Sequence, residues 1–382
     1  MNKLELRSVL SLSSIFALRM MAVFALVPVF TSYASTLSGV TPMLLGIAVG
    51  IYGLVQAIFQ LPLGVLSDTK GRKYIATLGM LFFLIGSLLA AFSTNINYII
   101  LARILQGMGA IGSTLIALLA DLTLDKNRTK AMAVMGISMG LASAIAIILG
   151  PWAANHGGLK EVFLWSAVFT FLSIIILNFI TPNPTHISSI SVSWTKLVRT
   201  GLKDKILYPW HMSIFLLHVL FTAMFYAVPL LLKPLLPHAI PFYLWVLAIS
   251  FFFLLPSIGW AERKKKTKEA FIFSIFVMLS AQIGLYFFHE TRMQFGVSLI
   301  LFFMGFNFLE ALLPSIISRL ASTKTRGTAM SIYSCSQFLG IFVGGIVAGC
   351  LDTIFGLESI FIFTGCLGAI WLFGGFKKAH LL

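Results

Sequence analysis

Apolar runs of roughly twenty residues alternate along this chain with short polar connections, and an α-helix needs about that length to cross a hydrocarbon layer of about 30 Å. The runs lie at 11–33, 43–66, 74–93, 97–120, 130–152, 161–181, 210–232, 239–261, 269–289, 293–318, 328–351 and 357–376. Ten-residue segments alternating apolar and polar positions, the mark of a membrane β-barrel, are absent from the sequence. The pattern predicts an all-α membrane protein with twelve transmembrane helices. A polar segment rich in Ser, Thr, Pro and Lys separates the first six runs from the last six. The chain is thereby divided into an N-terminal six-helix bundle (1–181), a cytoplasmic linker (182–209) and a C-terminal six-helix bundle (210–382). Within the linker, 193–206 reads as a short amphipathic surface helix, with Trp194, Leu197 and Leu202 set against Lys196, Arg199 and Lys203.

Composition agrees. The 382 residues are 59% hydrophobic and only 10% charged, too few charges to cover a soluble protein of this length. A net charge of +15 would suggest a nucleic-acid partner in a soluble chain. Here the basic residues sit in alternate connections instead. Lys3 and Arg7, then Lys70, Arg72 and Lys73, then Lys126, Arg128 and Lys130, fall on one side, and the pattern continues through 196–205, 263–268, 319–326 and 377–378. Lys160, Lys233 and Arg292 fall on the other side, and Arg19 and Arg103 lie inside spans. That bias places both termini in the cytoplasm and makes lipid, not nucleic acid, the expected surroundings. Arg19 interrupts the first apolar run, so the run reads as an uncleaved helix and not as a signal peptide. Cys335, Cys350 and Cys366 lie in predicted spans and form no disulfide framework.

The two halves repeat one another. Pro62 and Asp68, six positions apart, recur as Pro256 and Glu262, and Arg128 with Ala131 and Met132 recurs as Arg326 with Ala329 and Met330. A duplicated six-helix unit is the simplest account, and parallel repeats are one way to build a transporter with its substrate site at the repeat interface. Pairs of glycines four apart, Gly46 and Gly50, Gly136 and Gly140, Gly340 and Gly344, Gly345 and Gly349, predict close helix contacts.

Between the second and third runs lies GVLSDTKGRK, residues 64–73. Its Gly64, Leu66, Asp68, Gly71, Arg72 and Lys73 resemble the signature loop of the major facilitator superfamily, G-x-L-a-D-r-x-G-r-k, with Thr69 in place of the first basic residue. Arg103, Gln106 and Gly107 resemble the R-x-x-Q-G motif of the fourth span. Gly136, Gly140, Gly150 and Pro151 resemble the helix-five antiporter motif, although its closing glycine pair comes three residues late, at Gly157 and Gly158. The resemblance covers the whole chain and is nearest to the drug/proton-antiporter branch, with no soluble C-terminal domain expected after the last span. It implies the major facilitator fold of two pseudo-symmetric six-helix bundles. It also implies that Asp68 is a conformational latch toward the start of span eleven near Thr328, bracketed by Gly64 and Gly71 and supported by Arg72 with Asp121. The span-four arginine, here Arg103, is associated in that family with proton coupling.

Ionisable residues at membrane depth are costly and usually functional. Glu310 is the acid well within a predicted span, with Asn307 three positions before it and Pro314 four after, on one helix face. Arg19, Arg103 and His218 are the basic groups at similar depth. On span four, Arg103, Gln106, Ala110, Ser113, Ala117 and Asp121 fall on one stripe if the helix is continuous, with Arg103 and Asp121 about 27 Å apart along it. We expect Glu310 to be the protonation site, and Arg103 and Arg19 to tune it or to bind anionic substrate groups.

No phosphate-binding G-x-x-x-x-G-K-[ST] loop, metal-ligand cluster or dinucleotide fingerprint occurs, so no cofactor or metal is expected. Gly136-Ile-Ser138-Met-Gly140 fits a hydrolase elbow but lies inside a spanning helix, and the chain does not read as an enzyme. The expected function is proton-coupled secondary transport by alternating access, exporting an amphipathic small molecule across a bacterial inner membrane, with the protein a monomer. The alternatives are a proton-symport importer of a metabolite, and a non-transporting membrane sensor or assembly protein. The intramembrane charges argue against the last.

Overall fold

The computed structural model describes residues 1–183, 206–235, 239–264, 266–288, 291–321 and 326–378. The amphipathic segment expected at 193–206, except Ile206, and most of the linker lie outside them. Among the described residues, nine helices are long and apolar enough to cross a membrane. One of these stretches, Lys126–Ile180, has 55 residues, more than twice the length one pass requires, and two shorter apolar helices, Phe242–Phe253 and Ser359–Gly375, stand beside the nine.

The chain forms two compact units, Met1–Val40 with Ile51–Leu197, and Thr41–Gly50 with Val198–Leu382. In the first, α1 (Lys3–Phe24) starts earlier than the apolar run predicts because Asn2 and Glu5 close a capping box on its first turn. It also stops earlier. Pro28 has no N–H to give, and the chain descends through turns such as Val27 N to Phe24 O before α2 (Phe30–Ala34). There follow α3 (Pro42–Lys70), α4 (Arg72–Ala91), α5 (Ile96–Met108), α6 (Gly112–Asp121) and α7 (Asp125–Ile175), which runs on into a π-helical turn, Ile176–Ile180. The core packs Leu12, Ile15 and Phe16 of α1 against Met80 of α4, Leu115 and Leu118 of α6, and Met135 of α7.

Two expectations are corrected here. Span four is not one helix: it breaks at Gly109–Ile111, where Gly109 N turns back to Gln106 O and Ile111 N to Gly109 O. Three glycines in six residues lower the helix propensity there, so the stripe drawn from Arg103 to Asp121 is not carried across the break on one azimuth. Gly136 and Gly140 do not mark a close contact either, since a Cβ on either would meet nothing within 4 Å. The stretch 126–180 is interrupted by a kink at Gly157 and Gly158, the latter at φ 65, where a side chain is disfavoured.

The second unit contains α8 (Tyr208–Leu235), α9 (Ala239–Arg263), α10 (Thr267–Phe287), α11 (Arg292–Leu320), α12 (Arg326–Phe355) and α13 (Ser359–Lys378), together with the start of α3. Glycines let α12 pack backbone to backbone. A Cβ on Gly344 would stand 2.6 Å from Val219 O of α8, and one on Gly345 would stand 2.7 Å from Gly46 O of α3.

Candidate functional site

The signature stretch is helical almost to its end. α3 continues through Lys70, and Gly71 alone, at φ 97, turns the chain into α4. Gly71 is required for that conformation and not for tight packing, because nothing lies within 4 Å of where its Cβ would be. Gly64 is the close-packed position, its Cβ site 3.3 Å from Ser113 Oγ. The turn brings Asp68, Arg72 and Asp121 together. Arg72 Nη1 donates to Asp68 Oδ1 at 2.7 Å and Nε donates to Asp121 Oδ2, with Ser67 Oγ 3.4 Å from Nη1. Arg72 is a cation at a helix N-terminus and Asp121 an anion at a helix C-terminus, each unfavourable against its own helix dipole. Pairing them relieves both. Lys73 is used differently: its Nζ donates to Thr181 O at 2.5 Å, while Arg7 Nε donates to Ile180 O at 2.7 Å, so the two cap the π-helical turn that follows α7.

Within α5 of the same unit, Arg103 Nη1 donates to Gln106 Oε1 at 2.8 Å, and Gln106 Nε2 donates to Ser87 Oγ of α4 at 2.9 Å. The guanidinium carbon of Arg103 lies 4.6 Å from the Tyr52 ring centroid and 5.8 Å from that of Phe30, both cation–π distances. Glycines make this assembly fit. A Cβ on Gly86 would reach within 2.6 Å of Ala102 O, and one on Gly107 within 2.8 Å of Tyr52 O, so α4 and α3 approach α5 closely. Arg19 is set apart from this network. Its Nη1 donates to Gly109 O at 2.7 Å, at the break in span four. In the helix-five stretch, Gly150 packs directly on the carbonyl of Ala25 and Pro151 follows inside α7.

The second unit holds Glu310, Asn307 and His218. His218 Nδ1 lies 3.1 Å from Ile214 O one turn back, so Nδ1 carries the proton and Nε2 accepts. Gln337 of α12 supplies the donor: its Nε2 is 2.9 Å from His218 Nε2 and 3.0 Å from Glu310 Oε1, one amide hydrogen for each. The second carboxylate oxygen, Oε2, is 3.8 Å from His218 Nε2, beyond hydrogen-bond distance, and has no hydrogen-bond partner. Asn307 Nδ2 and Tyr333 Oη, on the same faces of α11 and α12, are likewise buried without a hydrogen-bond partner. Phe306 closes the site beside His218, 5.8 Å away, and stacks on Phe221 with centroids 4.5 Å apart.

Sequence reasoning gave no role to Gln337 or Glu5, and it took Tyr226 as a residue that could line a cavity without pairing it with Asp352. Gln337 sits four residues after Tyr333, a polar repeat at helical spacing that could have been read. Glu5 accepts from Leu124 N at 2.9 Å and from Asn127 Nδ2 at 3.0 Å, and its signal was the Asn2-x-x-Glu5 spacing. Tyr226 Oη lies 2.7 Å from Asp352 Oδ2 and 3.1 Å from Pro42 O, a pairing of distant positions with no local signature.

Comparison with known proteins now identifies the scaffold. Residues 12–319 match the Major Facilitator Superfamily. The chain is 39% identical over 378 residues to the inner membrane transport protein YajR of Escherichia coli K12, covering 96% of this chain and 82% of that protein. It is 36% identical over 358 residues to an uncharacterized transporter of Buchnera aphidicola subsp. Acyrthosiphon pisum, covering 90% of each. Among solved structures, a bacterial homolog of the human lysosomal transporter Spinster superposes with a TM-score of 0.80 over 100% of this chain and 98% of that one, at 13% identity. A D-xylose–proton symporter superposes with a TM-score of 0.76 over 97% of each, at 16% identity. Both likenesses concern the fold. The chain belongs to the Major Facilitator Superfamily, whose members here are membrane transporters and not enzymes.

Proposed function

We propose that the protein is a proton-coupled secondary transporter that exports an amphipathic small molecule by alternating access. Glu310 is its protonation site. The observation that carries this reading is the Glu310 carboxylate in an apolar span, with one oxygen held by Gln337 and the other without a hydrogen-bond partner and out of solvent contact, although the side chain as a whole is 37% exposed. An ionised carboxylate so placed is costly and gaining a proton removes that cost, so a conformation that hydrates the carboxylate better binds the proton less tightly, and proton occupancy favours the conformation described here over it. His218, hydrogen-bonded to the same amide, and Asn307 complete the acidic site, and Arg103 with Gln106 forms the basic one. Asp68, set by Arg72 and Asp121, is the conformational latch, and Gly136, Gly140, Gly150 and Pro151 form the helix-five motif of an exporter.

In this reading the chain makes twelve passes, in bundles at 1–181 and 210–382 joined by a linker at 182–209. Both termini are cytoplasmic and the protein is a monomer of a bacterial inner membrane. Purified protein in lipid vesicles with an imposed pH gradient tests the function. Proton movement coupled to efflux of an amphipathic compound from a panel is expected, and Glu310→Gln should abolish its dependence on the gradient. Coupled flux in the opposite direction would make the protein a symporter. Unchanged gradient dependence in Glu310→Gln would remove that residue from the coupling step.

A further inference from the structure

The break in span four creates a half-helix whose N-terminus lies within a predicted membrane span. α6 begins at Gly112, and its first turn has no side-chain cap. The amide hydrogens of Gly112, Ser113 and Thr114 therefore have no partner within the helix, and they carry the positive end of its dipole. Arg19 reaches the same break. One arm of its guanidinium, Nη1, is spent on Gly109 O. The other, Nη2, is buried without a hydrogen-bond partner in a side chain only 9% exposed. Thr114, fully buried in the first turn of α6, also has a hydroxyl with no partner. A Cβ on Gly112 would meet no atom within 4 Å, but that direction is shared with exposed Ile116 one turn on and lies on the side of α6 away from the buried Thr114 hydroxyl.

A guanidinium N–H, a hydroxyl and the uncapped turn of a half-helix all offer hydrogens or positive potential; the C-terminal carbonyls of α5 border the same break, and Arg19 Nη1 occupies that of Gly109 while Ser113 Oγ turns away to Gln60 O. That combination selects an anion. We propose that the break between α5 and α6 is an anion-binding subsite for a carboxylate-class group, held by Arg19 Nη2, Thr114 Oγ1 and the first turn of α6. The group is either a small free anion or the anionic end of the transported solute. The second of these rests on the transport reading above; the binding itself does not.

The test is thermal unfolding of the purified full chain in detergent, titrated with acetate, phosphate and benzoate at constant ionic strength, with the bulky sulfonate MES as balancing anion. A ligand that binds the folded state raises the midpoint in a saturable way. Wild type is expected to show such a rise. Arg19→Gln keeps a donor for Gly109 O but loses the charge, and should weaken the apparent affinity at least tenfold. Thr114→Val should weaken it several-fold. Thr114→Val keeps the proposal testable even if Arg19→Gln proves too unstable to measure. Equal responses to acetate and phosphate indicate a free ion, whereas a response that strengthens from acetate to benzoate indicates the end of a larger solute. A flat wild-type titration, as water alone at the break would give, overturns the proposal. So does a response unchanged in Arg19→Gln or in Thr114→Val. Because the readout is binding, it stands or falls separately from proton-coupled flux.

Discussion

Nε2 of Gln337 lies 2.9 Å from Nε2 of His218, and the same amide nitrogen lies 3.0 Å from the Glu310 carboxylate. The neutral amide thus fixes both titratable groups while its own hydrogens are fully used. Gln337→Leu leaves His218 Nε2 and Glu310 Oε1 without that donor. Unsatisfied buried polar groups cost about 1–3 kcal/mol. We expect a loss of stability of about that size in thermal unfolding, and a changed pH dependence of coupled flux in vesicles. Gln337→Glu, which lacks the two donors when ionised, should not restore either property.

Arg72 holds carboxylates from two other helix ends, with Asp68 26% and Asp121 16% exposed on their side chains. Removing the guanidinium strands two anions at once. Arg72→Gln should destabilise by about 1–3 kcal/mol, less than a fully buried pair would because solvent reaches both acids. Adding Asp121→Asn removes one stranded charge, so the double variant should lose less than the sum of the single losses. Strict additivity of unfolding free energies would show that the pair is not coupled. Asp68→Asn leaves Arg72 bound to Asp121 and should instead shift cysteine accessibility between the two sides of the membrane.

These residues show what a sequence can and cannot disclose. Apolar run length located most of the helices that are long and apolar enough to cross a membrane, since a membrane imposes its thickness on the chain. Opposite charges at span ends made the Arg72–Asp121 contact legible, and three-residue spacing put Asn307 with Glu310. The break at Gly109 was invisible to hydropathy, which registers what side chains prefer and not whether the backbone is continuous. Its signal was the clustering of Gly107, Gly109 and Gly112. Gln337 was missed because its partners belong to α8 and α11, and the contact depends on Gly340 and Gly344 bringing α12 onto α8. Spacing alone also misled at Gly136 and Gly140, since it says which residues share a face and nothing of what lies across from it.

The glycines of α7 should therefore respond unequally to alanine. At Gly150 the added methyl runs into the backbone of Ala25, and overpacking of this kind costs about 1–3 kcal/mol. At Gly136 and Gly140 the methyl meets nothing within 4 Å, and alanine is the better helix former by about 1 kcal/mol in water. Unfolding midpoints in detergent should fall for Gly150→Ala and hold or rise for Gly136→Ala and Gly140→Ala. If Gly136→Ala or Gly140→Ala keeps its stability and loses transport, those glycines act by motion and not by packing.

Tyr226 joins three segments of the second unit, since its hydroxyl reaches Asp352 on α12 and the carbonyl of Pro42 at the start of α3. A phenol has one hydrogen to donate, and the shorter contact, 2.7 Å to the carboxylate, is the stronger. Tyr226→Phe deletes that bond while keeping the ring, and hydrogen bonds to charged groups contribute about 1.5–3 kcal/mol. Asp352→Asn keeps an acceptor of lower charge at the same place. Tyr226→Phe should then cost less in the Asp352→Asn background than in wild type, and the difference measures the charged part of the bond. The same tie holds the first turn of α3 where Gly46 and Gly50 lie against α12, so its loss should also raise the accessibility of a cysteine placed at Met43. An unchanged accessibility together with a large stability loss would assign Tyr226 to packing between α8 and α12 alone.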